Sequence, residues 1–400
     1  MEHSASNGVP RRQFLSGAGA AAGATLLPSV ARAQDNTPFK IGTVLSVTGP
    51  GAFLGDNMKR GVELAIEEIN AKGGINGRKI DWTFYDAETQ STKGVLATRR
   101  LIEQDNVDVI VGGGNASGIA LAMVPVVEKA GTPFISTEGS MEIVNPVADR
   151  KWVFKSTLDD DEALQRAADF WQRRKINTIA LLHDSSGFGQ SAKDQMQKVA
   201  PARGLKVIYE VFNPTDTDLT AQLTRIKASD AKCVLCWTIT PTGVVFMKQA
   251  RQLGLNDRML MHSYGFVDER YMKLAEGAGD GVYLISTKFP VGDQLPKGDA
   301  VRNGIIDLTK RYQNRYKLVP NQFVAQTYDG VYLAALGLLA GGKDRQKTRT
   351  ALEGIKRYQG VGGIFSFGPE RHSGLGRYDA VILMWDKDHY KLADYEARPA

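Results

Sequence analysis

The sequence has few of the residues that would cross-link a fold or hold a metal ion. Among 400 residues there are two cysteines and five histidines, and the histidines are dispersed. Cys233 and Cys236 lie in an apolar run that predicts a strand, where a spacing of three puts their Cα atoms about 10 Å apart, too far for a disulfide. A zinc site would need a second pair of ligands. We therefore predict two buried thiols, no metal and no cofactor.

Excess charge is also small. The formal net charge is +6, and the first 33 residues hold three arginines and one glutamate, which leaves +4 for the rest. The basic runs at 173–175 and 343–349 have no interleaved aromatic residues, so a nucleic-acid partner is not predicted. The hydrophobic fraction of 42% and charged fraction of 24% are ordinary for a folded protein, and the length allows two to three domains.

The N-terminus carries the strongest local signal. Arg11 and Arg12 precede a mildly apolar stretch at 17–27, and residues 31–33 are Ala-Arg-Ala, with small residues where a signal peptidase would need them. This pattern predicts a signal peptide of the twin-arginine type over residues 1–33 and export to the periplasm. The stretch is shorter than the roughly 20 apolar residues of a bilayer span, and no later stretch is predicted to be long enough.

Strand and helix patterns alternate in two series. This alternation predicts an α/β fold with two units of parallel sheet covered by helices on both faces. Ligands of such sheets bind outside the carboxyl ends of the strands, so the loops after Ser46, Val111 and Ile135 are of interest. The predicted strands are 39–46, 79–85, 107–111, 133–135, 178–183, 206–212, 233–237, 259–261 and 281–285, followed by helices at 299–316 and 322–339 and an antiparallel tail.

A glycine-rich loop opens the helix predicted at 117–130. It reads Gly-Gly-Gly-Asn-Ala-Ser-Gly at 112–118, and free amides at such a helix start attract a phosphate or a carboxylate. One hypothesis is a dinucleotide site in which Glu138 binds the ribose, but the glycine fingerprint is imperfect. The favoured hypothesis is a carboxylate site in which Ser117 and Ser140 donate from neighbouring strand ends. A lone serine at a helix start is more often a cap.

No set of catalytic residues is evident. The Ser-Ser-Gly at 185–187 lacks the nucleophile elbow of hydrolases, and His183 has no evident nucleophile beside it. There is no phosphate-binding Walker loop either. The sequence thus favours a binding protein over an enzyme.

Several segments, in order, resemble the periplasmic solute-binding proteins of branched-chain amino-acid ABC transporters. The similarity spans roughly residues 38–386. It is carried by TGPGAFLG at 48–55, GVELAIEEINAKGGING at 61–77, VDVIVGG at 107–113, TDLTAQLTRIK at 217–227, QARQLGL at 249–255 and YDGVY at 328–332, with His183-Asp184 and Gly187-Phe188-Gly189 between them.

The resemblance implies a type I periplasmic binding fold. Its two doubly wound parallel-sheet lobes are joined by three crossing segments, with lobe 1 at 38–157 and 287–358 and lobe 2 at 158–286 and 359–400. A small carboxylate would bind between the closing lobes of a monomer, which then docks on the permease subunits in the inner membrane. The implied ligand-binding residues are Ser117, Ser140, Glu138, Asn115, Phe53 and Leu54 from lobe 1 and Phe188, Ile239, Thr240 and Tyr264 from lobe 2.

Tyr264 marks a departure from the amino-acid binders. They place an acidic side chain at this position to pair with the ligand ammonium, and leaving that group unpaired costs about 1 to 3 kcal/mol or more. We therefore expect a carboxylate without an α-amino group, with an aromatic or other apolar body. In the alternative, Glu138 or Asp268 supplies the anion and the ligand is a branched-chain or aromatic amino acid. A dinucleotide-dependent exported enzyme and a ligand sensor of the same fold remain as rivals.

Overall fold

The computed structural model describes residues 36–399, and the predicted signal peptide lies outside them. Its first sheet has five parallel strands, whose ranges close this paragraph, in the order β2-β1-β3-β4-β5. The central strands β3 and β4 are buried on both faces, as expected for a parallel sheet between helices. The elements are β1 (Phe39–Leu45), α1 (Ala52–Ala71), β2 (Ile80–Asp86), α2 (Ser91–Glu103), β3 (Val109–Val111), α3 (Ser117–Ala130), β4 (Phe134–Ser136) and β5 (Val153–Lys155).

The second sheet has seven strands in the order β14-β13-β10-β9-β8-β6-β7, and β13 alone runs antiparallel to the others, pairing with β10 on one side and β14 on the other. Its elements are α4 (Asp160–Arg173), β6 (Thr178–Asp184), α5 (Gly187–Ala202), β7 (Lys206–Phe212), α6 (Thr220–Ala228), β8 (Cys233–Trp237), α7 (Thr242–Gln252), β9 (Met259–His262), α8 (Glu269–Leu274), β10 (Tyr283–Thr287), β13 (Ala380–Asp386) and β14 (His389–Asp394). Cys233 and Cys236 are buried free thiols within β8, as predicted.

Between β10 and β13 the chain returns to the first sheet. Helix α10 packs against α1, α11, β3 and β4, and a short pair of strands follows. The chain therefore passes between the two sheets three times. We call the five-stranded sheet with its helices the first lobe and the seven-stranded sheet with its helices the second lobe. The additional elements are α9 (Arg302–Tyr316), α10 (Gln322–Gly341), α11 (Arg345–Glu353), β11 (Tyr358–Gln359) and β12 (Ile364–Phe365).

Helix α10 corrects one expectation, because the sequence predicts no later stretch long enough to cross a membrane. Its 20 residues are long and apolar enough by length and composition, but 83% of its most apolar window is buried inside the fold. An apolar helix enclosed by protein on all sides is a core helix. It carries Phe323 and Gln326 to a cavity between the lobes, and Gln322 donates to the Tyr264 carbonyl of the second lobe.

Candidate functional site

The lobes meet along a cleft at the carboxyl ends of both sheets. Several hydrogen bonds cross it. The Met141 amide donates to Ser191 Oγ (3.3 Å), Gln195 Nε2 donates to Glu142 Oε1 (3.3 Å), and Arg270 donates to the backbone carbonyl of Phe53. The structure is therefore that of closed lobes.

Two neighbouring cavities lie in this cleft. The inner cavity measures about 30 Å³, which accommodates water but not an organic acid. The outer cavity measures about 540 Å³, within the usual range of small-molecule sites. Ser117, Phe188 and Ile239 line both. The inner cavity is completed by Leu54, Met58, Asn115, Thr137, Glu138, Gly139, Thr157, Tyr264, Gly265, Phe323 and Gln326.

Ser117 begins α3, and its side chain is almost fully buried between the lobes. Its hydroxyl oxygen accepts a hydrogen bond from the Ser140 amide at 3.1 Å, so the hydroxyl proton is left to donate elsewhere. Ser140 directs its own hydroxyl to Glu142 Oε2 at 2.5 Å, and it does not line either cavity. The two predicted serines thus lie together, with only the Ser117 hydroxyl facing the cleft. The ligand role of Ser140 stays a prediction.

The Glu138 carboxylate turns inward to the glycine-rich loop. It accepts hydrogen bonds from the amides of Gly113 (2.9 Å), Asn115 (3.2 Å) and Thr137 (2.9 Å) and from the Ser136 (2.6 Å) and Thr137 (2.9 Å) hydroxyls. Burial raises the pKa of Glu138, and these donors oppose that effect. The amides that a dinucleotide phosphate would use are therefore occupied by an internal carboxylate.

The Asn115 side chain fixes the same loop. Its backbone is left-handed at φ +67°, and its amide donates to the carbonyls of Ser46 (2.6 Å) and Gly51 (3.2 Å) while its oxygen accepts from the Ser46 amide (3.2 Å). These bonds tie the loop after β3 to the loop after β1. Asn115 therefore shapes the cavity wall, and its side-chain polar atoms are already paired.

The second lobe contributes a mainly aromatic wall. Tyr264 meets Phe188 and Trp237 edge to face, with ring centroids 5.5 and 5.6 Å apart, and Ile239 packs beside Gly265. A Cβ on Gly139 of the first lobe would overlap the Tyr264 hydroxyl, so this glycine permits the close approach of the lobes.

Tyr264 is also linked to a buried acid. Its hydroxyl donates to Asp160 Oδ1 at 2.7 Å, at the first residue of α4. Burial raises the pKa of Asp160 to about 7, although Lys155, Ser191 and Tyr264 act to lower it. The second carboxylate oxygen of Asp160 has no hydrogen-bond partner within residues 36–399. This acid was not identified from the sequence.

A buried ion pair lies beside it. Lys155, at the end of β5, pairs with Asp159, and its ammonium also donates to the carbonyls of Gly139 (2.6 Å) and Ser140 (3.1 Å). Asp159 in turn accepts a hydrogen bond from the Ser373 hydroxyl. One cation therefore joins the cleft loop of the first lobe to the segments that cross between lobes.

Besides Ser140, three other predicted residues lie away from the inner cavity. Phe53 lines neither cavity, and Arg270 covers its ring, with the guanidinium carbon 4.4 Å from the ring centroid. Thr240 lines only the outer cavity. Asp268 accepts from Arg270 (2.9 and 2.6 Å) and from Asn321 (2.9 Å), so it is already paired. Within residues 36–399 no group of side chains could hold a metal ion.

The sequence-based catalytic candidates have structural roles. Ser186 caps α5 by accepting from the Gly189 amide (3.4 Å), and its hydroxyl donates to Asp184 at 2.5 Å. The Nδ1 atom of His183 lies 3.0 Å from the Asp184 carbonyl, and burial lowers the pKa of this histidine.

Comparisons with known proteins agree with this architecture. The family model described as periplasmic binding protein matches residues 38–389, and the chain belongs to that family. The family resemblance seen in the sequence is thereby confirmed, as a type I periplasmic binding protein of the branched-chain amino-acid transporter family. This is a family of binding proteins rather than of enzymes.

Individual relatives are distant in sequence. The chain is 27% identical over 353 residues to the leucine-, isoleucine-, valine-, threonine- and alanine-binding protein of Pseudomonas aeruginosa, covering 88% of this chain and 90% of that protein. It is 26% identical over 353 residues to Leu/Ile/Val-binding protein homolog 1 of Brucella abortus, covering 87% and 90%.

Solved structures share the fold. An extracellular ligand-binding receptor from Rhodopseudomonas palustris aligns with a TM-score of 0.81 at 21% identity, covering 89% of this chain and 99% of that chain. A substrate binding protein from Streptococcus pneumoniae in complex with isoleucine gives 0.78 at 23%, covering 90% and 100%. An R. palustris solute binding protein in complex with benzoate gives 0.76 at 21%, covering 91% and 98%. At these identities the likeness shows the fold alone.

Proposed function

We propose that this protein binds a small carboxylate between its two lobes and delivers it to the permease of an ABC importer, after export to the periplasm by the twin-arginine route. An aromatic or other apolar acid is the favoured ligand. The observation that carries the proposal is the Ser117 hydroxyl, which faces the closed cleft with its proton uncommitted at the start of a 14-residue helix. The positive end of the helix dipole adds to the attraction for an anion.

The acid group would lie at the start of α3. There the Ser117 hydroxyl and the first amides of the helix donate to it, and Ser140 would join them by turning its hydroxyl away from Glu142. The body of the ligand would lie against Phe188 and Ile239, which line both cavities. Because the inner cavity of the closed state is too small for an organic acid, the lobes must open or the wall must repack to admit it.

Ligand closure would then be the signal to the permease. Contacts from both lobes favour the closed form, and the membrane partner binds that form. A monomer suits docking on a single permease. Sequence and fold support a ligand sensor equally, but the amino-acid and benzoate-binding relatives named above are described as binding proteins, two of them of transporters.

The state of the acidic residues supports a ligand without an α-amino group. An amino-acid ligand would need Glu138 or Asp268 to pair with its ammonium group. Neither is available, because Glu138 is paired with loop donors and Asp268 with Arg270 and Asn321. The alternative, a branched-chain or aromatic amino acid, is supported by the relatives whose names state such ligands.

Titration calorimetry with Ser117→Ala tests the acid end of the site. We expect wild-type protein to bind benzoate-type acids and the variant to bind them roughly tenfold to hundredfold more weakly, because a charge-assisted hydrogen bond is lost. Ser140→Ala should weaken binding less, because its hydroxyl must first give up the hydrogen bond to Glu142. Unchanged affinity in Ser117→Ala would show that the acid group binds elsewhere. Stabilisation by leucine alone would refute the preference for acids without an amino group.

A further inference from the structure

The hydrogen bond between Tyr264 and Asp160 determines what the Tyr264 oxygen can offer to a ligand. The phenol has one proton, and it is donated to Asp160 Oδ1 at 2.7 Å. Burial raises the pKa of Tyr264, so the phenol remains protonated. No donor within residues 36–399 reaches the phenol oxygen. Its remaining lone pairs can therefore only accept.

The phenol cannot easily give up this arrangement. Its ring is held edge to face by Phe188 and Trp237, and the side chain is 3% exposed. Asp160 is fully buried. It accepts no hydrogen bond from the nearby Lys155 ammonium, because that group donates to Asp159, Gly139 and Ser140. Above its pKa of about 7 Asp160 is ionised, and the tyrosine proton is then the one that it binds.

The two ends of the inner cavity therefore have opposite hydrogen-bonding character. Ser117 presents a donor and Tyr264 presents an acceptor, and both line the same cavity. A ligand with a carboxylate alone satisfies only the Ser117 end. An acceptor left unpaired in a buried site weakens binding by about tenfold or more.

We propose that Tyr264 is a specificity-determining hydrogen-bond acceptor, positioned by Asp160, and that the bound acid carries a hydroxyl group that donates to it. The inference rests on the proposed carboxylate-binding function. A hydroxyl fits better than an ammonium because the contacting atom is a neutral phenol oxygen, and an ammonium would lack an anion in contact with it. The ligand class is accordingly a hydroxy-substituted apolar or aromatic carboxylic acid.

Titration calorimetry of the mature protein tests the proposal with two series of acids. The first compares benzoate with 2-, 3- and 4-hydroxybenzoate, and the second compares 4-methylpentanoate with its 2-hydroxy analogue and with leucine. We expect at least one hydroxy acid to bind about tenfold or more tightly than its parent acid. In Tyr264→Phe this advantage should disappear, so that the ratio of hydroxy-acid to parent-acid affinity falls to about one.

Two further variants separate the role of the phenol from general packing. Tyr271→Phe is the matched control, since the Tyr271 hydroxyl donates to the Ile239 carbonyl outside the inner cavity (2.9 Å) and should leave the advantage intact. Asp160→Asn should reduce the advantage, because a carboxamide can donate to the phenol oxygen and compete with the ligand. The ratio of hydroxy-acid to parent-acid affinity is the readout, which a loss of stability alone would not change.

An unchanged ratio in Tyr264→Phe would overturn the inference, as would tighter binding of leucine than of its hydroxy analogue or wild-type preference for the parent acids. Each of these outcomes leaves the carboxylate site standing, because Ser117→Ala reports on that end separately. If no acid of either series binds, the proposed function fails and this inference fails with it.

Discussion

The two lobes face the cleft with different chemistry. The first lobe supplies backbone amides and hydroxyls at the ends of purely parallel strands, with Ser117 as the uncommitted donor. The second lobe supplies the rings of Phe188 and Tyr264, the Ile239 side chain and one phenol oxygen. The comparison indicates a division of tasks, in which one lobe fixes the acid group and the other selects the rest of the molecule.

The polar groups of the two lobes also differ in how they are paired. In the first lobe the Glu138 carboxylate has five donors within the loop. In the second lobe Asp160 has one bonded oxygen and one without a partner within residues 36–399. The first lobe is therefore the rigid side of the site, and the second is the side where protonation and ligand contacts can change the pairing.

The largest expected effect comes from removing the cation that joins the lobes. Lys155→Met leaves Asp159 buried without its partner, which should lower the free energy of unfolding by about 3 to 5 kcal/mol. The same variant frees the carbonyls of Gly139 and Ser140, so acid affinity should fall as well. Urea denaturation measures the first effect. Lys206→Met, which breaks an exposed pair with Asp230, is the control and should leave the unfolding midpoint unchanged. Equal effects from the two variants would contradict the assigned role of Lys155.

Asp160 should make the stability of the protein depend on pH. Its folded pKa is about 7, against about 4 in the unfolded chain, so between these values only the folded state holds the proton. Stability should therefore fall by up to about 4 kcal/mol as pH rises from 4 to 7 and then level off. The difference between wild type and Asp160→Asn in urea denaturation across this range isolates the contribution. Parallel pH profiles would show that Asp160 titrates normally.

Closure should depend on Gly139. A methyl group there would overlap the Tyr264 hydroxyl and the Phe188 ring across the cleft, so Gly139→Ala should disfavour the closed form by about 1 to 3 kcal/mol. Small-angle scattering should show a larger radius of gyration than for the wild type. In Gly277→Ala the added methyl meets no heavy atom within 4 Å, so the radius should stay the same. A compact Gly139→Ala protein would mean that the lobes do not approach as the structure shows.

The smallest expected effect comes from Glu142, a half-buried residue that accepts a hydrogen bond from Gln195 across the cleft. Burial acts to raise its pKa, but the donors Ser140, Ser191 and Gln195 outweigh this and hold the pKa below its usual value. Glu142→Gln should weaken acid binding by less than about tenfold, because one hydrogen bond of about 1 kcal/mol across the lobes is altered. Glu103→Gln on the exposed face of α2 is the control for calorimetry. A loss larger than that of Ser117→Ala would mean that the contact of Glu142 across the lobes, rather than the helix start, controls the affinity for the acid.

Much of the fold follows from local patterns in the sequence. Strands β7 and β8 and helix α3 begin and end at the residues predicted, because apolar residues mark the two strands and Gly131 ends the helix. The start of α1 is wrong by five residues, since the glycines at 49–55 lower helix propensity there. Packing overrides that preference, and Gly55 lies directly against the Ser46 carbonyl.

The site was less accessible from the sequence alone. Ser117 and Tyr264 lie at the ends of recognisable strands or helices, so their positions could be predicted. The burial of Asp160 and Lys155 could not be predicted. An acidic residue in the first turn of a helix, like Asp160, ordinarily faces solvent, and only tertiary packing buries these two residues. Phe323 and Gln326 reach the cavity on α10, which returns to the first lobe only after strands β6 to β10 of the second, beyond any local pattern. The lobe boundaries and the ligand-binding roles stay predictions.

A crystal structure of the protein with a bound aromatic acid tests the central claim most directly. The account predicts a carboxylate oxygen about 2.5 to 3.0 Å from Ser117 Oγ at the start of α3, with the body of the ligand against Phe188 and Ile239. A carboxylate directed toward the second lobe, or a ligand bound outside the cleft, would contradict it.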